Sequence, residues 1–190
     1  KNKEVDILLG TQMISKGLDF PLVTLVGIVM ADISLNLPDF RAAERTFQLL
    51  TQVAGRSGRR DKAGEVIIQT YNPQHYAIES ASQQNYIRFA TEELGYRKKL
   101  YYPPYYRLAR ILFQSTDLET LKKEMSNMRE VLYFLRKQFP MPQLLLLGPS
   151  VAPFSKISSY YRYHLIFKAQ TVKILQNAIR LFNSLYNCPS

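Results

Sequence analysis

The first part of the chain alternates apolar runs of strand length with a helical run. The runs at 5–10 and 23–32, VDILLG and VTLVGIVMAD, are almost continuously apolar, as the buried strands of a parallel sheet usually are. Residues 41–55 are rich in strong helix formers, and the run at 64–70, GEVIIQT, returns to strand character. Strands that alternate with a helix predict a piece of a parallel α/β sheet.

A second helical run, from about 75 to 94, leads to two consecutive prolines at 103 and 104. Proline cannot continue a helix and favours extended geometry in the residue before it, so the segment 98–107 is predicted to hold the main domain boundary. The predicted parts of the chain are 1–72, 73–106 and 107–190.

Beyond residue 107 the pattern is that of an α+β domain. Residues 107–115 alternate apolar and polar side chains as a strand does, and from 118 to 139 apolar residues recur every three or four positions. The second pattern predicts one long amphipathic helix, with Thr116 and Glu119 as a capping box at its start.

Two more strands and a last helix complete this part. Residues 143–148 and 160–167 are apolar and aromatic, and Thr171 precedes a final amphipathic run. The order strand, helix, strand, strand, helix predicts a ferredoxin-like sandwich, a split β-α-β unit that lacks its final strand. The predicted fold class is therefore α/β in the first part and α+β in the second.

Charge separates the same two parts. The 190 residues carry a formal net charge of +10, and 46% of them are hydrophobic, which is ample for a buried core. Residues 1–106 hold 13 basic and 11 acidic side chains, whereas residues 107–190 hold 12 and 4. Such an excess is typical of a surface that meets nucleic acid, an acidic peptide or a membrane, although it can also serve solubility alone.

Cysteine and histidine are too few for a disulfide or a metal centre. Cys188 is the only cysteine, and His75 and His164 have no metal-ligand spacing. The longest uncharged apolar stretch, 23–31, is too short to span a bilayer, and the N-terminus lacks the organisation of a signal peptide. We expect a protein of the reducing cytoplasm without membrane association and, because the chain does not begin with methionine, a fragment of something longer.

The segment GTQMISKG at 10–17 resembles a phosphate-binding P-loop only superficially. Ser15 stands where the second glycine must precede the lysine, and Gly17 stands where a serine or threonine would bind magnesium. The chain therefore does not bind a nucleoside triphosphate by that route.

The same segment offers other groups to a ligand. Thr11 directly follows a predicted strand, at the edge where α/β sheets bind ligands. Gly17 lets a backbone approach closely, and Asp19 supplies an acceptor for a ribose hydroxyl or an arginine. The alternative is ordinary loop chemistry, since Gly-x-Asp-x-Pro is common in loops.

A pair of arginines follows the first helical run, in QVAGRSGRR at 52–60. Arg56 and Arg59 project to one side of a helical turn, and each follows a glycine that leaves room for a phosphate group. Guanidinium groups suit phosphate oxygens and stabilise the charge of phosphoryl transfer. Gln52, one turn earlier, is placed to report the nucleotide state through a hydrogen bond. The alternative is a basic helix end favoured by helix electrostatics.

These two motifs carry a resemblance to a known family. TQMISKGLDFP at 11–21, followed by QVAGRSGR at 52–59, is similar to motifs V and VI in the second RecA-like lobe of superfamily 2 helicases. The sequence between them, together with ELGYRKKLYYPPY at 93–105, resembles the PriA family of primosomal replication-restart helicases. The resemblance is weaker beyond residue 107, through GPSVAP and YYRYHLIF.

The resemblance implies half of an ATP site. In such helicases ATP with Mg²⁺ lies between two lobes, and the P-loop and the acidic metal-binding motif belong to the first lobe; neither motif occurs in this chain. The positions that match the second lobe's half are catalytic Arg56 and Arg59 and nucleotide-binding Gln52, Gly17 and Asp19. Thr11 would touch the DNA phosphate backbone, and the family's cysteine-rich structural zinc module would precede residue 1.

The resemblance also implies a role for the basic part. The family's C-terminal domain has an S10-like fold and contributes to binding of single-stranded and forked DNA and of the acidic tail of the single-stranded DNA-binding protein. In SSYYRYH, alternation places Tyr161 and Tyr163 on one face and Arg162 on the other, a combination suited to base stacking and phosphate pairing. The alternative is that the tyrosine face is core. Candidates for the basic surface are Lys156, Arg162, Lys168 and Lys173.

Two hypotheses follow. In the first, the chain is the C-terminal part of a monomeric ATP-dependent DNA helicase that acts with other primosome proteins in restart of stalled replication forks, and it is inactive alone. In the second, the chain is a non-catalytic nucleic-acid-binding and protein-docking module, and its arginine pair contacts the phosphate backbone directly.

Overall fold

The computed structural model describes residues 6–11, 23–55 and 64–186 of the chain. The chain divides into two compact units, residues 1–95 and 96–190. Each unit has its own cluster of buried hydrophobic side chains.

A pair of parallel strands forms the sheet of the first unit. β1, Leu25–Ile28, pairs with β2, Glu65–Ile68, so that Val26 lies beside Val66. The parallel pairing predicted from the apolar runs is therefore confirmed. The helices of this part are α1 (Asp32–Leu35), α2 (Ala42–Ala54), α3 (Tyr76–Ser82) and α4 (Tyr86–Lys99), the last of which runs across the division between the units.

The apolar run predicted as the first strand is not a strand where the structure describes it. Residues 6–11 contain no strand, and the side chains of Ile7 and Leu9 are 78% and 87% exposed. An apolar run forms a strand only where a neighbour pairs with its backbone, and among the described residues none does so here. Val5, the first residue of the run, lies outside the described residues.

The core of the first unit joins α2 to the helices that follow it. α2 buries Phe47 and Leu50, and the Phe47 ring stacks on Phe89 of α4 with the ring centroids 4.2 Å apart. The run predicted as helical from about 75 to 94 is two helices because Gln84, between them, has a left-handed backbone with φ of 51°. A residue in that conformation cannot continue a right-handed helix.

The second unit is built on a three-stranded antiparallel sheet. Its strands are β3 (Arg107–Ser115), β4 (Leu144–Ile157) and β5 (Tyr160–Ala169), in the order β3-β5-β4. Its helices are α5 (Leu118–Asn127) and α6 (Arg129–Gln138), which connect β3 to β4, and α7 (Val172–Leu185). Since β3 and β4 are both antiparallel to β5, they run parallel on either side of it, as in a split β-α-β unit.

Helices α5, α6 and α7 cover one face of this sheet. Leu165 and Phe167 of β5 are fully buried, and Phe182 of α7 meets the Phe167 ring edge-on at 5.7 Å between centroids. Met128 and Leu135 complete the fully buried centre from the helical side. Burial of side chains of this size contributes about 1.5–3 kcal/mol each.

The helix predicted over 118–139 is divided into α5 and α6 at Met128, although no glycine or proline marks the break. Its predicted cap is also corrected. The N-cap is Asp117 and not Thr116, because the Asp117 carboxylate accepts the N–H groups of Glu119 and Thr120 at 3.0 and 3.3 Å. Two helical donors are thereby satisfied by one side chain.

β4 extends to Ile157, well beyond the predicted strand at 143–148. Pro149 and Pro153 argue against a strand when the sequence is read alone, but β4 is an edge strand, where a missing N–H need not remove a ladder hydrogen bond. The β4–β5 hairpin closes through Ser158 and Ser159, whose φ angles of 47° and 72° form a two-residue left-handed turn.

Candidate nucleic-acid interface

The predicted nucleotide-binding residues lie mostly outside the described part of the chain. Those outside it are Gly17, Asp19, Arg56 and Arg59. Gln52 is exposed near the C-terminal end of α2, and Thr11 is exposed outside regular secondary structure. The roles implied for all of them by the resemblance stay predictions.

Asp32 holds together the chain segments that follow β1 and β2. Its carboxylate accepts the Thr70 hydroxyl at 2.8 Å and the Tyr71 N–H at 2.9 Å. The hydrogen bond from the Tyr71 N–H is the main cause that lowers the pKa of Asp32. At this edge, where α/β sheets bind ligands, the buried carboxylate therefore has a structural role.

β5 divides its side chains between the two faces of its sheet. Tyr161 and Tyr163 pack against the core on the helix-covered face, as Leu165 does. Arg162 and His164 alternate with them and lie on the other face. The alternation predicted for SSYYRYH is confirmed, and it separates the predicted DNA-binding residues into two groups.

The open face is the side of the sheet away from α5, α6 and α7. Its side chains on β3 and β5 include Arg110, Leu112, Gln114, Arg162, His164 and Ile166. The register places Arg162 opposite Gln114 and His164 opposite Leu112. Cationic, amide and apolar groups thus share one surface.

The three strands of this sheet contain no aspartate and no glutamate. Their basic residues are Arg107, Arg110, Lys156, Arg162 and Lys168. Positive charge without compensating carboxylates on the same strands favours an anionic partner.

Two buried polar atoms on the open face have no hydrogen-bond partner within the described part of the chain. They are Nε of Arg162 and Nδ1 of His164. A buried polar group without a partner costs about 1–3 kcal/mol. Burial lowers the pKa of His164, and the positive charge of Arg110 lowers it further. An anion bound here would be attracted by the guanidinium groups of Arg110 and Arg162.

Lys168 does not belong to the accessible basic surface for which it was a candidate. Its side chain is 3% exposed, and its Nζ donates to the Leu100 carbonyl at 2.8 Å and lies 3.4 Å from the centroid of the Tyr102 ring. Burial lowers the pKa of Lys168. Its charge binds the segment 100–102 to the sheet.

Lys156 and Tyr161 pair across the β4–β5 hairpin, on the helix-covered side. The Lys156 Nζ lies 4.5 Å from the centroid of the Tyr161 ring and 3.4 Å from its hydroxyl oxygen. The ammonium therefore lies over one side of the ring. The more exposed rings of the hairpin are Phe154 and Tyr160, at 64% and 48%.

Gly148 allows β4 to approach β5 closely beside the open face. Its φ is +98°, and a Cβ at this position would lie 2.7 Å from the carbonyl oxygen of His164. Neither the backbone conformation nor the space suits another residue. The position of His164 thus depends on this glycine.

Sequence reasoning missed Arg110 and Gln114 as members of the open face. The signal was present, because the apolar positions of β3 predict its inward side and leave these two residues outward. Those inward positions are Ala109, Ile111 and Phe113.

Neither a metal site nor a membrane span is found in the described ranges. No group of three or more His, Cys, Asp or Glu residues there is arranged to hold a metal ion. None of the helices described combines the length and the apolarity that crossing a bilayer requires.

Comparison with known proteins gives a consistent result. Residues 98–186 match the family described as Primosomal protein N C-terminal domain. The chain is 47% identical over 165 residues to the replication restart protein PriA of Bacillus subtilis (strain 168), an alignment that covers 87% of this chain and 20% of the relative.

Two further replication restart proteins PriA align over more of the chain. That of Borreliella burgdorferi is 42% identical over 179 residues, covering 94% of this chain and 26% of the relative. That of Treponema pallidum is 40% identical over 187 residues, covering 98% of this chain and 28% of the relative. The chain thus spans about a quarter of the length of these relatives. It belongs to the PriA family of replication restart proteins, and its residues 98–186 match the family's C-terminal domain.

Proposed function

We propose that this chain is the C-terminal part of an ATP-dependent DNA helicase that acts in primosome assembly and in the restart of stalled replication forks. Residues 1–72 would belong to the second RecA-like lobe, 73–106 would connect, and 107–190 would form a basic DNA-binding domain with an S10-like fold. The names of the relatives, the parallel pairing of β1 with β2 and the split β-α-β arrangement of the second unit support this proposal.

The observation that carries DNA binding is the open face. Arg110, Arg162 and His164 lie there together, on strands without any acidic residue, and two of these side chains have buried polar atoms without partners in the described structure. Arginine on a sheet beside apolar side chains suits the phosphates and bases of single-stranded DNA. Lys156, beside Tyr161 at the hairpin, lies on the helix-covered side and would contact a separate phosphate there.

Replacement of Arg110 and Arg162 by glutamine tests this assignment. Each phosphate contact to single-stranded DNA adds about 0.7 to the slope of log affinity against log salt, so the double variant should lose about 1.4. The control is Lys123→Gln with Arg180→Gln, which removes two exposed charges from α5 and α7. Equal losses in both double variants would show that only net charge matters and would contradict the assignment.

For the nucleotide we propose the residues implied by the family. Arg56 and Arg59 would stabilise the γ-phosphate, Gln52 would line the cleft, and Gly17 and Asp19 would lie on its nucleotide side; Thr11 would touch the DNA backbone. The first lobe would supply the P-loop and the ligands of Mg²⁺, which neutralises phosphate charge during transfer. The acidic tail of the single-stranded DNA-binding protein and other primosome proteins are proposed partners of the basic unit.

Arg59→Ala in the full-length protein tests the nucleotide role. An arginine that reaches the γ-phosphate is worth about 10³–10⁵ in kcat, so ATP turnover should fall by at least about 10³ while DNA affinity is unchanged. The matched control is Arg60→Ala, the neighbouring arginine outside the motif. If Arg59→Ala weakens DNA binding and spares kcat, the arginine contacts the DNA backbone, as the non-catalytic alternative requires.

A further inference from the structure

A line of basic side chains runs along α5 and α6, on the helix-covered side of the sheet of the second unit. Lys122, Arg129 and Arg136 follow one another at intervals of seven residues. They border a groove of about 740 Å³ between these helices and the start of the irregular part of β4. The helix groove is defined by Lys122, Ser126, Arg129, Tyr133, Arg136 and Tyr163.

The spacing of the two arginines follows from the geometry of α6. Arg129 and Arg136 both lie in α6, and seven residues correspond to about 10.5 Å along the axis, close to two turns. Tyr133 lies between them, four residues after the first and three before the second. All three side chains therefore project to the same side of α6.

The charge of the helix groove is not compensated by its own lining. Among the residues that the structure describes, no aspartate or glutamate borders it. Lys122, at one end, pairs with Glu119 at 2.8 Å, whereas neither Arg129 nor Arg136 has an ion pair within the described part of the chain. The two arginines thus leave their guanidinium groups to an anionic partner.

Aromatic rings lie beside these charges. The side chain of Tyr133 is 72% exposed although it projects from a helix that packs on the core. Tyr163, half-buried, forms part of the opposite wall of the groove. An exposed ring between two arginines can stack on an unpaired base while the arginines contact the flanking phosphates. Duplex DNA offers no unstacked base, and an acidic peptide without aromatic residues does not use the stacking surface.

We propose that the helix groove is a second binding site for single-stranded nucleic acid, separate from the open face. It would take two phosphates on Arg129 and Arg136 and one base on Tyr133. Because Tyr163 and Arg162 point to opposite faces of β5, the two sites lie on opposite sides of one sheet, and the unit would bind two single-stranded segments at once. The assignment of the ligand as nucleic acid rests on the proposed function, whereas the site itself rests on the lining and the charges of the helix groove.

The test uses the complete 190-residue chain and an oligothymidylate of about eight nucleotides, a length within the range that one single-strand binding site takes. Two oligonucleotides should bind per chain at saturation. The variant Arg129→Gln with Arg136→Gln should bind one, and the second binding event, with its slope of about 1.4 for two phosphates, should be lost. The control Lys123→Gln with Lys137→Gln removes two exposed charges from the same helices, next to Lys122 and Arg136 but outside the groove, and should still bind two.

Tyr133→Ser separates stacking from charge, because it should weaken the second binding event at least about tenfold while the salt slope stays unchanged. A single oligonucleotide per wild-type chain, or equal losses in the groove and control variants, would overturn the second site. A polyglutamate peptide that competes for the groove better than oligothymidylate does would overturn its assignment to nucleic acid. The proposed function fails separately, if Arg110→Gln with Arg162→Gln retains both bound oligonucleotides.

Discussion

The two units differ in how fully their strands are covered. In the second unit Leu165 and Phe167 of β5 are fully buried under three helices, whereas Leu25 of β1 and Ile67 of β2 in the first unit are 54% and 53% exposed. Parallel strands are usually covered on both faces, so the first unit leaves apolar strand surface for further contacts. In the second unit three helices cover one face of the sheet, and charged side chains lie on the other face and on the surface of the helices.

The largest expected difference concerns stability. Phe182→Ala, in the second unit, should lower the free energy of unfolding by about 3–5 kcal/mol, because it leaves a cavity against Phe167. Leu25→Ala, in the first unit, should cost less than about 1 kcal/mol, because the side chain is more than half exposed. Hydrogen exchange monitored along the chain measures each unit separately. Equal losses in the two variants would contradict the comparison.

Two glycines, Gly148 in the second unit and Gly95 in the first, should respond in opposite directions to replacement by alanine. Gly148→Ala should destabilise the second unit by about 1–3 kcal/mol and weaken DNA binding, since the residue has φ of +98° and its Cβ would meet the His164 carbonyl at 2.7 Å. Gly95→Ala lies in α4 with no atom within 4 Å of the added carbon, and alanine there should stabilise the helix by up to about 1 kcal/mol. Thermal unfolding and an oligonucleotide titration of both variants check the pair. Retention of full DNA affinity in Gly148→Ala would contradict the dependence of the open face on this turn.

The two units also differ in how much of their structure the local sequence pattern predicts. The alternation in the strands of the second unit predicts which side chains share a face, since a period of two places Tyr163 and Arg162 on opposite faces. The same rule applied to β3 identifies Arg110. The apolar run at 5–10 carries no period, and whether it pairs depends on neighbours that a local pattern does not contain.

Other features depended on tertiary context. The extension of β4 beyond residue 148 could not be predicted, because Pro149 and Pro153 argue against a strand. Proline is tolerated on an edge strand, but only the strand order shows that β4 is an edge. The sequence predicts Lys168 as surface charge, but the Leu100 carbonyl and the Tyr102 ring cover it. Among the predicted residues of the nucleotide site, Gln52 lies in α2, whereas Gly17, Asp19, Arg56 and Arg59 lie outside the described residues, so their arrangement stays a prediction.

A smaller effect tests the corrected helix cap. Asp117→Ala should cost about 1 kcal/mol, because its carboxylate accepts two N–H groups at the start of α5. Thr116→Ala, one residue earlier, should change the stability by less than about 0.5 kcal/mol, because Thr116 is not the N-cap. Urea unfolding of the two variants measures both effects. A larger loss for Thr116→Ala than for Asp117→Ala would contradict Asp117 as the N-cap and favour the capping box of Thr116 and Glu119.

The smallest expected effect is a pH dependence. Burial and Arg110 lower the pKa of His164 below its ordinary value of about 6.5, so the unfolded chain takes up this proton first. The stability contributed by neutral His164 is complete above about pH 6.5 and is lost as the pH falls through 6.5 toward the lower pKa of the folded state.

Phosphates on the open face would raise the pKa of His164 again. Affinity for single-stranded DNA should therefore rise between pH 7.5 and 5.5 by up to about threefold more in the wild type than in His164→Gln. Fluorescence anisotropy at the two pH values measures the difference. An equal rise in both proteins would place His164 away from the bound phosphates.

The central claim is that the second unit, and not the first, contacts the bases of bound single-stranded nucleic acid. Photocrosslinking of the 190-residue chain to an oligonucleotide that contains 5-iodouracil, followed by peptide mass spectrometry, tests it directly. We expect most crosslinks within 107–169, on β3, β5 and α6. Crosslinks confined to residues 23–95 would contradict the account.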